Sequence, residues 1–539
     1  MPRSTPGYAR AVAAIAVSDL SYAHPGGDLL FSGVSFRVTD GGHAGLVGAN
    51  GAGKTTLMRI AAGLLEPLDG AVTLDGRALY MPQDVGTGEG TVRELLMTSA
   101  PAQLARAGRA MLAAERDLAA GDEDAGVRLG EAIGDWSELG GYTLEGVWDA
   151  ACRQIVGAGL ADVGDRGAVT LSGGERKRLV LETLFRSDAD ILLLDEPDNF
   201  LDVPAKRALE QRIAATKKTV LLISHDRALL SAACTAIVTL EGHGAWVHGA
   251  SYATYPEARE HRRQLMGDRL ERWNDEERRL RELVRTFKER AKYSPDWAKR
   301  ADAMETRWRR WVDEGPPPAP VVDHAIRPRL RGGDSARRVV ALEDLAIDGL
   351  VRPFEDEVHF GERVGLIGPN GTGKTHLMRL LAGEDVPHEG RMVLGPRVSP
   401  GLFTQLGSRA DLEGAPLLDL VVERVGTVER AMGALARYGL QDAARRTPET
   451  LSGGQRARLE ILCLEAEGHN LLLLDEPTDN LDIDSSEALE RALDGFEGTV
   501  VAVSHDRTFL RSLDRFLLLD TDGSVTPIPD PERALEALT

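Results

Sequence analysis

Two stretches of this chain have the make-up of a phosphate cradle: Gly48-Ala49-Asn50-Gly51-Ala52-Gly53-Lys54-Thr55 and Gly368-Pro369-Asn370-Gly371-Thr372-Gly373-Lys374-Thr375. Each fits G-x-x-x-x-G-K-T and follows an apolar run. Glycines at that spacing let backbone N–H groups turn inward around phosphate oxygens at a helix N-terminus. Lys54 or Lys374 adds positive charge, and Thr55 or Thr375 offers a hydroxyl to Mg2+. Thr56 and His376, next in line, are counted with the same nucleotide contacts. Asp195 and Asp475 each end a run of four apolar residues, where a carboxylate can hold Mg2+. Glu196 and Glu476 follow at once, placed to orient or deprotonate a water attacking a phosphate. Acidic residues that merely capped a strand in solvent would not require Asp-Glu-Pro after an apolar run twice over.

These residues must be positioned by something that occurs twice. The block from Gly45 to Gly63 returns from Gly365 to Gly383, and the later landmarks follow in the same order: Leu-Ser-Gly-Gly at Leu171 to Gly174 and Leu451 to Gly454, Asp-Glu-Pro, then Ser-His-Asp-Arg around His225 and His505. In each copy, apolar runs of four to six residues lead into glycine-rich or acidic turns, as buried strands of a largely parallel sheet do. The fold class is α/β. Between the copies, from about Pro256 to Glu314, the chain is crowded with Arg and Glu and reads as helix. Gly315-Pro316-Pro317-Pro318-Ala319-Pro320 then makes an extended exit. The expected division is 1–255 for a first nucleotide-binding domain with a helical insert, 256–320 for a helical hairpin linker and 321–539 for a second nucleotide-binding domain.

With Leu-Ser-Gly-Gly in both copies, the chain resembles the ATP-binding cassette superfamily. The resemblance implies ATP and Mg2+ as cofactors and a head-to-tail pairing of the two cassettes. Ser172, Gly173 and Gly174 would then cover the ATP held by Lys374, and Ser452, Gly453 and Gly454 the ATP held by Lys54. By the same resemblance, Gln83 and Gln405 sense Mg2+ and the attacking water, Asp202 and Asp482 are the aspartates of the loop after the catalytic glutamate, and His225 and His505 contact the γ-phosphate. The metal-facing set is Thr55, Gln83 and Asp195 in one copy and Thr375, Gln405 and Asp475 in the other. Tyr22 stands 26 residues before Gly48, where the superfamily stacks an aromatic on adenine. The second copy's corresponding segment, Asp344-Leu345-Ala346-Ile347, is shorter and offers no aromatic.

Two cassettes in one chain, no apolar stretch of the roughly 20 residues that span a bilayer, and a long charged joining segment resemble the ABC-F branch. That branch acts on ribosomes, so the resemblance implies a cytoplasmic ATPase that binds rRNA and tRNA, either in translation or in protecting ribosomes from antibiotics such as macrolides. It also implies a monomer without membrane insertion. Met266, Leu270, Trp273, Leu280, Leu283, Val284 and Phe287 fall on one helical stripe, with Glu277 intruding at an apolar position. Trp297, Ala301, Met304, Trp308 and Trp311 form a second stripe, preceded by Ser294-Pro295 as cap and first turn. An antiparallel hairpin is expected, with Arg285, Lys288, Arg290 and Lys292 near its tip as phosphate contacts; the alternative is a solvated spacer. Gln83 and Ser172 are 89 residues apart but Gln405 and Ser452 only 47, so the first copy holds an insert near Gln103 to Glu145. The insert is either a ribosome-reaching arm or an enlargement of the helical subdomain.

Composition narrows the class. A formal charge of −20 over 539 residues disfavours a protein that coats nucleic acid indiscriminately. Three scattered cysteines, Cys152, Cys234 and Cys463, suit small buried side chains in a reducing compartment. The opening residues show no secretory pattern. The competing readings are the ATPase subunit of a transporter whose membrane domains are separate chains, and a DNA-stimulated ATPase.

Overall fold

The computed structural model describes residues 13–27, 29–85, 90–122, 124–242, 244–293, 295–320, 326–404 and 412–538. The first cassette opens with β1 (Ala13–Ala23), β2 (Leu29–Thr39), β3 (His43–Val47), α1 (Lys54–Ala61), β4 (Asp69–Leu74) and β5 (Ala78–Met81). A helical stretch follows: α2 (Val92–Met97), α3 (Ala102–Ala119), α4 (Ala125–Glu138), α5 (Gly141–Ile155) and α6 (Leu160–Val163). The chain then alternates through α7 (Gly173–Arg186), β6 (Ile191–Asp195), α8 (Val203–Ala215), β7 (Thr219–Ile223), α9 (Arg227–Ala233), β8 (Ala236–Glu241) and β9 (Gly244–His248).

Strands β5-β6-β7-β3-β8-β9 form one sheet in that order, parallel except for β9. Its middle strands β6, β7 and β3 are buried at every position, which is why they read as unbroken apolar runs. A second sheet, β2-β1-β4, is antiparallel. Side chains of β1 and β2 such as Ile15, Val17 and Phe31 share one core with Leu57 and Met58 of α1 and Leu193 of β6, so α1 is packed between the two sheets. Its N-terminus, where the phosphate cradle ends, is thereby fixed. The helices between β5 and β6 have a core of their own, centred on Trp136 and Trp148 with ring centroids 6.0 Å apart. Met111 of α3 and Ala132 and Trp136 of α4 belong to that core, so the insert enlarges the helical subdomain.

After the linker the pattern repeats: β10 (Arg338–Ile347), β11 (Val351–His359), β12 (Arg363–Ile367), α12 (Lys374–Leu381), β13 (Glu389–Leu394), β14 (Pro400–Phe403), α13 (Leu417–Val425), α14 (Val428–Arg437), α15 (Gly453–Glu467), β15 (Leu471–Asp475), α16 (Ile483–Asp494), β16 (Thr499–Val503), α17 (Arg507–Leu510), β17 (Arg515–Leu519), β18 (Val525–Ile528) and α18 (Pro531–Ala537). The order β14-β15-β16-β12-β17-β18 matches the first sheet strand for strand. All three cysteines are buried and none is in a disulfide.

By contacts, Met1–Gly249 and His324–Thr539 form one unit and Ala250–Asp323 another. The linker unit is a hairpin. In 37 residues its first helix, α10 (Tyr255–Ala291), spans roughly 55 Å at 1.5 Å per residue, and the return helix, α11, covers Pro295–Glu314. Trp273 stacks on Trp311 at 6.2 Å while Phe287 meets Trp297 at 5.5 Å, the antiparallel register expected from the two stripes. Glu277 is buried in the hairpin and accepts a 2.9 Å hydrogen bond from the Trp308 indole. The residue that looked like an intrusion is the acceptor a partly buried tryptophan needs. Ser294, read as a cap, lies outside the described residues. Among the described residues, no helix is long and apolar enough to cross a membrane.

Candidate active site

Two clefts form between the cassettes, each built from both. The larger, about 390 Å³, is lined by Asn370, Gly371, Gly373, Lys374, Thr375, His376, Asp475, Glu476 and His505 of the second cassette. Ser172, Gly173, Gly174, Phe200 and Lys206 of the first cassette close it. The other, about 340 Å³, is lined by Asn50, Gly51, Gly53, Lys54, Thr55, Thr56, Gln83, Glu196 and His225, closed by Ser452, Gly453, Gly454 and Asn480. Most of the residues named from the motifs line these clefts, Ser172, Gly173 and Gly174 facing the loop of Lys374 and Ser452, Gly453 and Gly454 that of Lys54, as the head-to-tail pairing implies.

Local sequence explains each position. Gly53 and Gly373 sit at φ 95° and 93° immediately before α1 and α12, a left-handed turn that favours glycine. Lys54 Nζ donates to the carbonyls of Gly48 and Ala49 at 2.8 and 3.1 Å, and Lys374 Nζ to those of Gly368 and Pro369 at 2.8 and 2.7 Å. Both lysines are buried, and burial lowers both ammonium pKa values. Ser172 and Ser452 are the N-caps of α7 and α15, so two more helix N-termini border the clefts with their positive dipole ends.

Glu196 and Glu476 have φ of 47° and 51°, in the left-handed region, a conformation costing about 1–3 kcal/mol for a residue with a Cβ. Their N–H groups are held by the carbonyls of Ile223 and Val503, both at 2.9 Å. The kink ends the strand and leaves each carboxylate beside a histidine: His225 Nε2 lies 3.6 Å from Glu196 Oε1, and His505 Nε2 3.6 Å from Glu476 Oε1. Gln83 and Asn199 both donate to Glu196 Oε2 at 2.6 Å. Burial opposes ionisation of Glu196, but the His225 imidazole, the Lys54 charge and the Asn199 amide bring its carboxyl down to about 2. Glu476 goes the other way: burial, and then the Asp479 carboxylate, push it well above the usual range. Burial, with the charges of Lys374 and Lys206, holds His505 down at about 3, as a neutral imidazole.

For a divalent cation the donor set fits. Asp195 is fully buried, its Oδ1 has no hydrogen-bond partner among the described residues, and burial followed by the Glu196 charge raises its carboxyl to about 6. An orphaned buried carboxylate oxygen is what a cation would satisfy. Thr375 Oγ1 donates to Asp475 Oδ2 at 2.9 Å, so hydroxyl and carboxylate already converge. Gln405 lies outside the described residues.

Some expected contacts fall elsewhere. Tyr22 is 9% exposed, packs on Phe31 at 6.2 Å and does not line its cleft; His24 and Leu30 do. The strand β1 is irregular from Leu20 to Ala23, so alternation does not predict which side chain faces the base. Leu350 takes the corresponding place in the other cleft. Asn50 and Asn370 bind protein across the cassette boundary as well as lining the clefts. The Asn50 N–H donates to Asp482 Oδ2 and its amide to the Asn480 carbonyl, both at 2.9 Å, while the Asn370 amide donates to the Phe200 carbonyl at 3.5 Å. Asp202 is the N-cap of α8, accepting from Ala205 N–H at 3.0 Å. Phe200, Asn480, Asn199, Asp479 and Lys206 were not anticipated; the signal for the first four was their place in the loop from Glu196 to Asp202 or from Glu476 to Asp482.

A sequence profile described as "ABC transporter" matches residues 31–199 and 352–479. An antibiotic resistance protein of Mycobacteroides abscessus is 44% identical, over 95% of this chain and 98% of the relative. ABC transporter F family member 4 of Arabidopsis thaliana is 30% identical, over 91% of this chain and 71% of the relative. Among solved structures, that of ribosome-bound archaeal Pelota and ABCE1 aligns with a TM-score of 0.58 at 20% identity, over 96% of this chain and 80% of that chain; at that identity the likeness is one of fold.

Proposed function

The chain belongs to the ABC transporter family, in its F branch, and is an ATP-hydrolysing enzyme; we propose that it acts on the ribosome in the cytoplasm, in translation or in antibiotic resistance. ATP binding closes the cassettes, the closed form engages ribosomal RNA and tRNA through the hairpin near Arg285, Lys288, Arg290 and Lys292, and hydrolysis releases it. One chain supplies both halves of both sites and works as a monomer, divided at 1–255, 256–320 and 321–539. The observation that carries the reading is the pair of clefts each closed by the opposite cassette, joined to a hairpin whose Lys and Arg outnumber its Asp and Glu in a chain of charge −20. The names of the relatives, one an antibiotic resistance protein, support the same direction.

In this reading Glu196 and Glu476 orient the attacking water, and His225 and His505 contact the γ-phosphate. Lys54 and Lys374, with the backbone N–H groups of their loops, neutralise phosphate charge. Thr55, Gln83 and Asp195, or Thr375, Gln405 and Asp475, would hold Mg2+, which would supply neutralisation of phosphate charge. The E196Q/E476Q double variant should bind ATP, lose turnover by about a hundredfold or more, and co-sediment with ribosomes only when ATP is present. Turnover at the parental rate would remove both glutamates from the role. ATP-bound protein that stays in the supernatant would instead favour a separate membrane partner.

A further inference from the structure

The two copies fold the loop after the catalytic glutamate identically but fill it differently. Asn199 N–H reaches the Glu196 carbonyl at 3.4 Å and Asp479 N–H the Glu476 carbonyl at 3.1 Å, and the next residues, Phe200 and Asn480, share φ of 66° and 63°. With the backbone held constant, side-chain chemistry is what differs.

In the first cassette the Asn199 amide donates to Glu196 Oε2 at 2.6 Å. Together with Gln83 on the same oxygen, it fixes the carboxylate plane and leaves Oε1 towards His225. A carboxylate at the equivalent position cannot donate. Glu476 Oε2 accepts the His505 N–H at 3.0 Å, while its buried Oε1 has no hydrogen-bond partner among the described residues. Asp479 lines that cleft beside Asp475 and Glu476, adding a third carboxylate. The opposite cassette answers with Lys206, which lines the same cleft and is itself paired with Asp226 at 3.2 Å. Its counterpart in sequence is Ser486. A general base works only when its orientation towards the water is held. One site has that support in an amide; the other has like charge and a lysine contributed in trans.

We propose that the two nucleotide sites hydrolyse ATP at unequal rates, the Lys54 site faster, because Asn199 positions Glu196 and Asp479 cannot do the same for Glu476. The proposal rests on the reading of Glu196 and Glu476 as the bases, and ribosome-free ATPase kinetics separate the two. E476Q leaves only the Lys54 site to turn over, and E196Q only the Lys374 site. The expected result is a kcat for E196Q at least about fivefold below that of E476Q. In the E476Q background N199D should lower kcat by about tenfold, with KM changed by less than about twofold. In the E196Q background D479N should raise kcat severalfold, a gain that misfolding cannot produce. Equal rates for E196Q and E476Q overturn the inequality while leaving the base assignment standing. A loss with N199D but no gain with D479N overturns the positioning role. Parental rates in both single variants remove the base assignment and this proposal with it.

Discussion

At the level of single residues, the nucleotide clefts depend on backbone positions that no side chain can share. Gly48 and Gly368 have φ of 151° and 142°, and a Cβ there would lie 2.3 Å from the Leu240 carbonyl oxygen and 2.1 Å from that of Leu519. Both carbonyls belong to buried sheet strands, β8 and β17, which cannot retreat. Gly51 shares the left-handed backbone at φ 85° but faces open space. G48A should therefore cost about 3 kcal/mol or more, and G51A only the local backbone strain of about 1–2 kcal/mol. Thermal unfolding and the number of nucleotides bound per chain check this: G48A should lose one of two, G51A neither. Equal destabilisation would mean that the clash is relieved elsewhere. The glycines, lysines and glutamates were legible in the sequence because each sits in a contiguous motif whose chemistry is local. His24, Phe200 and the cross-cassette bonds of Asn50 were not, because they depend on where β1 loses its regularity and on which loop the opposite cassette presents.

At the level of elements, the α8–α9 corner of one cassette meets the α16–α17 corner of the other through reciprocal ion pairs. Arg227, the first residue of α9, pairs with Glu490 on α16 and lies 3.4 Å from Asp506; Arg507, the first residue of α17, pairs with Glu210 on α8 and lies 3.9 Å from Asp226. Asp226 and Asp506 are the N-caps of α9 and α17, so each arginine is aimed by its own helix and answered by the other half. Arg227, Glu490, Arg507 and Glu210 are all mostly shielded from water. Removing one partner should strand charge at the interface: R227A is expected to cost about 2–4 kcal/mol. R227A/E490A should cost less than the sum of the two single changes, with a coupling above about 1 kcal/mol by thermal or urea unfolding. Additive losses would mean the pair is incidental. These corners follow from Ser-His-Asp-Arg, legible twice in the sequence, but their pairing is not, since Glu210 and Glu490 look like ordinary surface residues of charged helices. The hairpin shows the converse case, for its stripes gave the register while Glu277 could be understood only once Trp308 was beside it.

At the level of the whole molecule, a strongly acidic chain carries a basic hairpin, and the balance of those charges decides what it can approach. Near the turn, Lys288 pairs with Glu305 at 2.7 Å and Arg285 with Glu282 at 3.4 Å, while Arg290 and Arg300 lie over the Trp297 ring at 5.0 and 4.9 Å. Tyr293 is 89% exposed, a bare aromatic beside the exposed Lys292. Solvent-exposed pairs of this kind hold their partners by no more than about 1 kcal/mol, so the cations remain exchangeable for phosphate, and an exposed ring between them suits stacking on an unpaired base. If the tip meets RNA, each phosphate contact adds about 0.7–0.9 to the slope of log affinity against log salt. Reversing Arg285, Arg290 and Lys292 to Glu should then flatten that slope by about 2–3 and weaken ATP-dependent ribosome co-sedimentation at low salt by tenfold or more. Far-UV circular dichroism and the ribosome-free ATPase rate serve as the folding controls. An unchanged slope would leave the hairpin as a spacer whose charges serve solubility, and would move the search for an RNA contact to the cassettes themselves.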